Sequence, residues 1–352
     1  MPGAEINIDE VRDALERLTA NASRELLVKQ PHWGDAILCD GLLYASRVLK
    51  SDAPVEAAQR WFEQKLGAGP RTSGWFWFWA AEALPAVDLH LKTDDPRYLE
   101  YARAIVAFME KSAARTPDGA FVPHPPALEV WIDVCYFTAP ALALLGRISR
   151  DAAMLERAAD QVILHRDHLI DPASGLFWHV AYVDRKSHSP CLWARGNSWF
   201  SIAAPQVLAE IGNAGQSRPP AAKVEKIRDA LARQLNKIAG LQDDSGLWHT
   251  VIDRHDSYLE ASSAAGFALG LGRALRTRLP GLDEKRARDA HTRALRAICS
   301  KIDANGAFND VSQQTPPGDF AFYNSIEVGT APFATGVCMM ALSEALEKFG
   351  DA

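Results

Sequence analysis

Cysteine is scarce in this chain and never clustered. Cys39, Cys135, Cys191, Cys299 and Cys338 are odd in number and show no C-x-x-C spacing. That excludes a zinc ribbon and fits a reducing compartment. No segment is strongly basic: 38 Lys and Arg stand against 44 Asp and Glu, for a formal net charge of −6. Nucleic acid is thereby excluded as the main partner. No apolar run approaches the ~20 residues that cross a bilayer, so no membrane partner is expected. The opening MPGAEINIDEVRDALERL lacks a basic head followed by an apolar stretch, and the expected location is the cytoplasm. Low-complexity linkers are also missing, which predicts one domain over 1–352. With 48% hydrophobic residues, such a chain buries a large core without a disulfide or metal staple.

What the sequence has in abundance is helical periodicity. Asp95-Pro96 opens one helix, with Asp as N-cap and Pro at the first helical position. Tyr98, Leu99, Ala102, Ile105, Val106 and Met109 follow as a single apolar stripe. Ser189-Pro190 opens a second helix, which stops at Gly212-Asn213. In all, about twelve helices are predicted, over 5–29, 36–50, 54–65, 74–91, 96–113, 126–148, 151–168, 190–211, 221–239, 257–278, 283–302 and 332–349. Strand-like alternation is confined to short pieces such as 176–183 and 247–252.

A second regularity decides the architecture. DGAFVPH, SGLFWHV, SGLWHTV and NGAFNDV each place a Gly before an aromatic or apolar pair, with the glycines at 119, 175, 246 and 306. Each gap holds two helices and a short turn, an internal repeat of helix hairpins. About six such units fit, which predicts an all-α (α/α)6 toroid. An open solenoid is the plainer arrangement. Closure is favoured because 190–211, 257–278 and 332–349 are rich in Ala and Gly and poor in charge, as an inner layer must be. The Gly-aromatic turns and helix N-termini then gather at one mouth, where a concave site belongs.

Several side chains near these turns can carry chemistry. Asp133 in LEVWIDVCYF is a lone carboxylate among apolar neighbours. Burial raises a carboxyl pKa and suits it to act as a general acid; an ion pair or a cap is the plainer role. The run WARGNSW sets Trp193, Arg195, Asn197 and Trp199 at a helix start. There Arg195 can fork onto a carboxylate and the tryptophans can offer flat faces to a sugar. His124, His179 and His249 each follow a Gly-aromatic turn. They lack H-x-x-x-H spacing, so polar contacts to substrate are expected rather than a metal. The stretch 72–84, TSGWFWFWAAEAL, holds Trp75, Phe76, Trp77, Phe78 and Trp79 as sugar-cleft or core aromatics and Glu82 as a second acidic group. Trp33 and Asp35 precede a helix, with Asp35 as its expected N-cap.

Together these blocks resemble the unsaturated glucuronyl and rhamnogalacturonyl hydrolases of glycoside hydrolase family 105, with family 88 as a more distant relative. The resemblance runs from about Trp33 to the C-terminus and is carried by WIDVCYFTAPALALLGRISRD, DPASGLFWHVAYVD, SPCLWARGNSWF, LQDDSGLWHTVID and GTAPFATGVCMMALSEAL. It implies the same toroid and a substrate bearing a 4,5-unsaturated uronic acid at the non-reducing end of a short oligosaccharide. It also implies a reaction in which an Asp protonates C4 of the enol ether and helps water attack C5, after which the ring opens. No metal or nucleotide cofactor is implied. The catalytic Asp of that family falls on Asp133 and its strand His on His179. Its binding aromatics and Arg fall on Trp33, Trp193, Arg195 and Trp199. Two features depart from the family. Its second Asp, early in the fourth helix, has no counterpart in WFWFWAAEALPAV, where Glu82 is the nearest carboxylate. The basic residue upstream of the catalytic Asp is replaced by Pro123, beside His124. A sugar epimerase using the histidines, or a sugar-binding toroid without chemistry, remain the other readings. A monomer or small homo-oligomer is expected.

Overall fold

The computed structural model describes residues 6–28, 32–71, 77 and 80–350. Twelve long helices are found among them: α1 Ile8–Val28, α2 Asp35–Leu49, α3 Ala53–Leu66, α4 Ala83–Thr93, α5 Pro96–Ser112, α6 Ile132–Ser149, α7 Ala152–Leu169, α8 Ala194–Gly212, α9 Ala221–Gly240, α10 Ala261–Arg276, α11 Glu284–Ser300 and, last in the chain, α13 Pro332–Gly350. A four-residue helix, α12 Phe320–Tyr323, precedes the last. Short strands fill the connections: β1 Glu129–Trp131, β2 Val180–Tyr182, β3 Ser187–His188, β4 Trp248–His249, β5 Leu259–Glu260, β6 Val311–Ser312 and β7 Val328–Gly329.

Helices α2, α4, α6, α8, α10 and α13 form an inner ring in which each packs on the next and α13 returns to α2. Helices α1, α3, α5, α7, α9 and α11 form the outer layer. The result is the (α/α)6 toroid. Layer follows composition, as apolar stripe width dictates. In α10 every residue from Ala261 to Leu275 is buried. The outer α11 buries one face alone, with Ala287, Ala290, His291, Ala294, Leu295, Ala297 and Ile298. Helix α6 is apolar enough to cross a membrane by length and composition, yet it stands inside the ring with 78% of that stretch buried.

Ring closure depends on two glycines. A Cβ on Gly336 of α13 would sit 2.1 Å from the Ile37 carbonyl oxygen, and one on Gly41 of α2 would sit 2.6 Å from the Gly336 carbonyl oxygen. Only backbone without side chains lets the last inner helix lie this close to the first.

The Gly-aromatic repeat has a structural meaning. All four glycines have positive φ, between 77° and 102°. The segments after Gly175, Gly246 and Gly306 pair with strands that lead into inner helices, β2 with β1, β4 with β5 and β6 with β7. The first N–H of an inner helix then donates to the carbonyl of the next repeat: Ile132 to His179 at 3.1 Å, Ala194 to Thr250 at 2.9 Å and Ala261 to Asp310 at 2.9 Å. These bonds satisfy donors that a helix start leaves open.

They also explain why three predicted helices begin late. In the stretches 126–131, 190–193 and 257–260 the chain turns and then pairs, at 129–131, 193 and 259–260, before the helix starts. Ser189 caps no helix; it exchanges bonds with Val180, donating its N–H at 2.9 Å and accepting at its hydroxyl at 3.1 Å. Asp95 is the N-cap expected, accepting from the Arg97 N–H at 2.9 Å. Asp35 is instead the first residue of α2 and accepts from the His32 N–H at 2.7 Å.

Away from the helix starts, the ring interior holds a charged group. Asp40 and Tyr44 of α2, Asp88 of α4 and Arg273 of α10 gather there, with Arg47 paired to Asp88 at 3.3 Å. Arg273 donates to the Tyr44 hydroxyl at 3.0 Å.

Candidate active site

The inner helix N-termini surround a cleft of about 480 Å³ lined by Trp33, Trp131, Asp133, Trp193, Arg195, Gln314, Thr315 and Pro316. Trp33 and Gln314 also border an adjoining opening of about 790 Å³. Asp133 lies in the first turn of α6, placed by the β1–β2 pairing that sets Trp131 opposite Val180. The same register brings His179 alongside: its Nε2 is 3.4 Å from Asp133 Oδ2. The Asp133 side chain keeps 15% exposure while Oδ2 is buried, which leaves Oδ1 as the oxygen on the cleft side. His179 is buried, with Nδ1 2.6 Å from the Tyr323 hydroxyl and its ring 4.3 Å from that of Trp193.

Arg195 departs from the expected fork. It is 3% exposed and lies between the rings of Trp193 at 4.5 Å and Phe333 at 4.9 Å. Its Nη1 donates to Ser262 Oγ at 3.1 Å and the Ser312 carbonyl at 2.7 Å. Its Nη2 donates to the Gln313 carbonyl at 2.7 Å and Thr315 Oγ1 at 2.9 Å. Four of the five N–H donors of a guanidinium are therefore committed to the protein. Burial pulls its pKa below the usual value, opposed by the charges of Glu260 and Asp133. The cation is thus fixed in the wall of the cleft that it lines.

Three other expected binding residues do not reach the cleft. Asn197 is fully buried; its amide donates to the carbonyls of Phe177 and Trp193, both at 2.9 Å, and its oxygen accepts from the Phe177 N–H at 2.9 Å. It clamps a Gly-aromatic segment to α8. Trp199 is buried in the ring core, stacked on Tyr136 at 4.9 Å. Glu82 is 2% exposed and points away from the cleft, paired with Lys65 at 2.5 Å and bonded to the Tyr101 hydroxyl. Its partners sit on α3 and α5, so it braces the inner helix against the outer layer. His124 is half-buried and meets the edge of Trp131 at 4.8 Å, its pKa pulled down by burial against the opposing charge of Glu129. His249 faces the Ser257 carbonyl. Trp33 stacks on Phe333 at 4.9 Å and forms one wall of the cleft, as expected. Trp77 is buried, donating to the Pro123 carbonyl at 2.9 Å. Trp75, Phe76, Phe78 and Trp79 lie outside the described residues.

The residues missed in the sequence are Trp131, Gln314, Thr315 and Tyr323. Trp131 stands two residues before Asp133, the spacing that puts both at one helix start. Tyr323 had a weaker signal: Asp319 before FAFY is a cap, and it accepts from the Phe322 N–H at 2.9 Å.

Residues 8–349 match Glycosyl Hydrolase Family 88. The chain belongs to this family. It is 31% identical over 190 residues to the unsaturated rhamnogalacturonyl hydrolase YesR of Bacillus subtilis, covering 52% of this chain and 54% of that protein. It is 23% identical over 221 residues to an unsaturated 3S-rhamnoglycuronyl hydrolase of an Alteromonas species, covering 61% and 51%. The chain thus spans about half the length of these curated relatives. A crystal structure from Salmonella enterica serovar Paratyphi A, described as a possible member of glycoside hydrolase family 105, superposes with a TM-score of 0.87 at 26% identity, covering 99% of this chain and 97% of that one.

Proposed function

We propose that this chain is a glycosidase that removes a 4,5-unsaturated uronic acid from the non-reducing end of short oligosaccharides, with Asp133 as its catalytic acid. One observation carries the reading. Asp133 is the carboxylate that lines an aromatic cleft beside a fixed cation, Arg195. Ordinary glycosidases set two carboxyl groups roughly 5–10 Å apart across the scissile bond. Here a single carboxylate faces the cleft among the described residues that line it. Hydration of an enol ether suits that arrangement. Asp133 gives its proton to C4, water adds its oxygen to C5 and returns a proton to Asp133, and the resulting hemiketal opens to release the remaining sugar. Trp33 and Trp193 bound the sugar ring, and the Arg195 field favours the uronate carboxylate. The names of the curated relatives support the substrate class. The whole chain acts as one catalytic unit in this reading, in a reducing compartment that suits its five unpaired cysteines.

The test is the absorbance of the enol-ether band with a panel of disaccharides made by polysaccharide lyases. At least one substrate loses the band with the wild-type protein. Asp133→Asn binds the same substrate but loses on the order of 10²–10⁴ in kcat, the usual worth of general acid–base catalysis. A band unchanged for every substrate, or an Asn variant that turns over normally, overturns the proposal.

A further inference from the structure

We propose that Tyr323 is a positioning residue that fixes the tautomer of His179 and so places the acidic proton of Asp133 on the oxygen facing the cleft. The proposal rests on the reading of Asp133 as the catalytic acid. Three groups stand in line. Tyr323 Oη is 2.6 Å from His179 Nδ1, and His179 Nε2 is 3.4 Å from Asp133 Oδ2. Neither Nε2 nor Oδ2 has a hydrogen-bond partner among the described residues, and both are buried. The 3.4 Å approach is longer than a formed hydrogen bond, as is common for catalytic pairs before substrate arrives.

The direction of the chain of donors follows from the tyrosine end. A phenol O–H is a stronger donor than a neutral imidazole N–H, so at 2.6 Å Oη gives its hydrogen to His179 Nδ1. A neutral imidazole whose Nδ1 accepts carries its proton on Nε2. That N–H faces Asp133 Oδ2. A carboxylic acid with a donor against one oxygen holds its hydrogen on the other, which here is Oδ1, the oxygen on the cleft side. The opposite tautomer would present a bare lone pair to Oδ2 and draw the acidic proton inward, away from substrate.

The location of Tyr323 fits the role. It sits on α12, outside both helix layers, and its ring packs in a small cluster with Cys191, Trp193 and Val251. A phenylalanine would fill the same volume, so the hydroxyl is what this position adds.

Tyr323→Phe tests the idea in the full chain, with the kinetics repeated in a His179→Gln background. In wild-type protein labelled with ¹⁵N-histidine, the NMR signature of His179 is expected to show Nε2 protonated and Nδ1 bare. Tyr323→Phe is expected to lose that fixed signature and to lower kcat on the order of 10–100-fold with KM little changed, as when the group orienting a metal-bound histidine is removed. In the His179→Gln background the same change should alter kcat by no more than about twofold, since the hydroxyl acts through His179. A protonated Nδ1 in the wild type, an unchanged kcat in Tyr323→Phe, or equal losses in both backgrounds overturns the proposal. If no substrate is turned over, the reading of the reaction fails, and the tautomer measurement alone still decides whether Tyr323 sets the state of His179.

Discussion

Asp40→Asn should stabilise the protein at neutral pH. Asp40 lies in the interior of α2, 4% exposed, and its carboxyl is pushed up from 3.8 to about 7. Burial is the main cause and the charge of Asp88 adds to it, while Arg47 and Arg273 pull the other way. The folded pKa therefore exceeds the unfolded one. Below the unfolded value both states are protonated and the residue costs nothing. As pH rises from about 4 to about 7, the unfolded chain releases a proton that the folded chain retains, and stability falls. Each unit is worth about 1.4 kcal/mol, so the full shift amounts to roughly 4 kcal/mol, and to roughly 2 kcal/mol where the two arginines lose part of their own stabilisation once Asp40 is neutral. Asparagine keeps the shape and does not titrate. The assay is urea unfolding of both proteins from pH 4 to pH 8. Acids remote from this cluster titrate equally in both, so the difference curve isolates Asp40 together with its neighbour Asp88. It should be near zero at the acid end, open between pH 4 and 7, and reach a plateau of about 2–4 kcal/mol in favour of the variant. A flat difference curve, or an Asn variant less stable at pH 8, would refute the burial argument.

Glu82→Gln should lower stability by about 3 kcal/mol, the low end for breaking a buried ion pair because Lys65 remains partly exposed. Its kcat in the enol-ether assay should stay within about twofold of wild type, and a large loss of kcat without loss of stability would return Glu82 to the chemistry. Gly336→Ala should cost about 2–3 kcal/mol, since its Cβ would meet backbone at 2.1 Å rather than a flexible side chain. A melting temperature equal to wild type would show that the ring closes less tightly than these helices indicate.

The fold was legible in the sequence because its signals were local. A helix shows its buried face at three- and four-residue steps, and twelve such faces with a Gly-aromatic repeat leave few architectures open. The helix starts were less legible. Ser189-Pro190 carries a cap signal, but Ser189 is taken by Val180, a partner nine residues back whose pairing no local pattern announces. The site was legible where geometry follows from one segment. Asp133 and His179 meet because one strand pair fixes their register. Arg195, Asn197 and Trp199 looked alike in WARGNSW, yet the helix turns each to a different neighbourhood: Arg195 to the 312–315 loop, Asn197 to Phe177, Trp199 to Tyr136. A seven-residue run at a helix start spans nearly two turns, so its members cannot all face one cleft.

That dispersal changes how the cleft would recognise an acid. A free guanidinium fork would bind a carboxylate by direct bonds, and its loss of freedom on binding would weaken the contact. Arg195 is already immobile, held by two carbonyls and two hydroxyls that carry no full charge. Among the described residues its positive charge has no direct ion pair, and it lines a cleft bounded by aromatic faces. The inner helices add to this field in the same direction. Asp133 and Arg195 lie in the first turns of α6 and α8, where partial positive charge collects and favours an anion, whereas the start of α10 is already capped by the Glu260 carboxylate. A preset field attracts a uronate without reorganising when the substrate arrives.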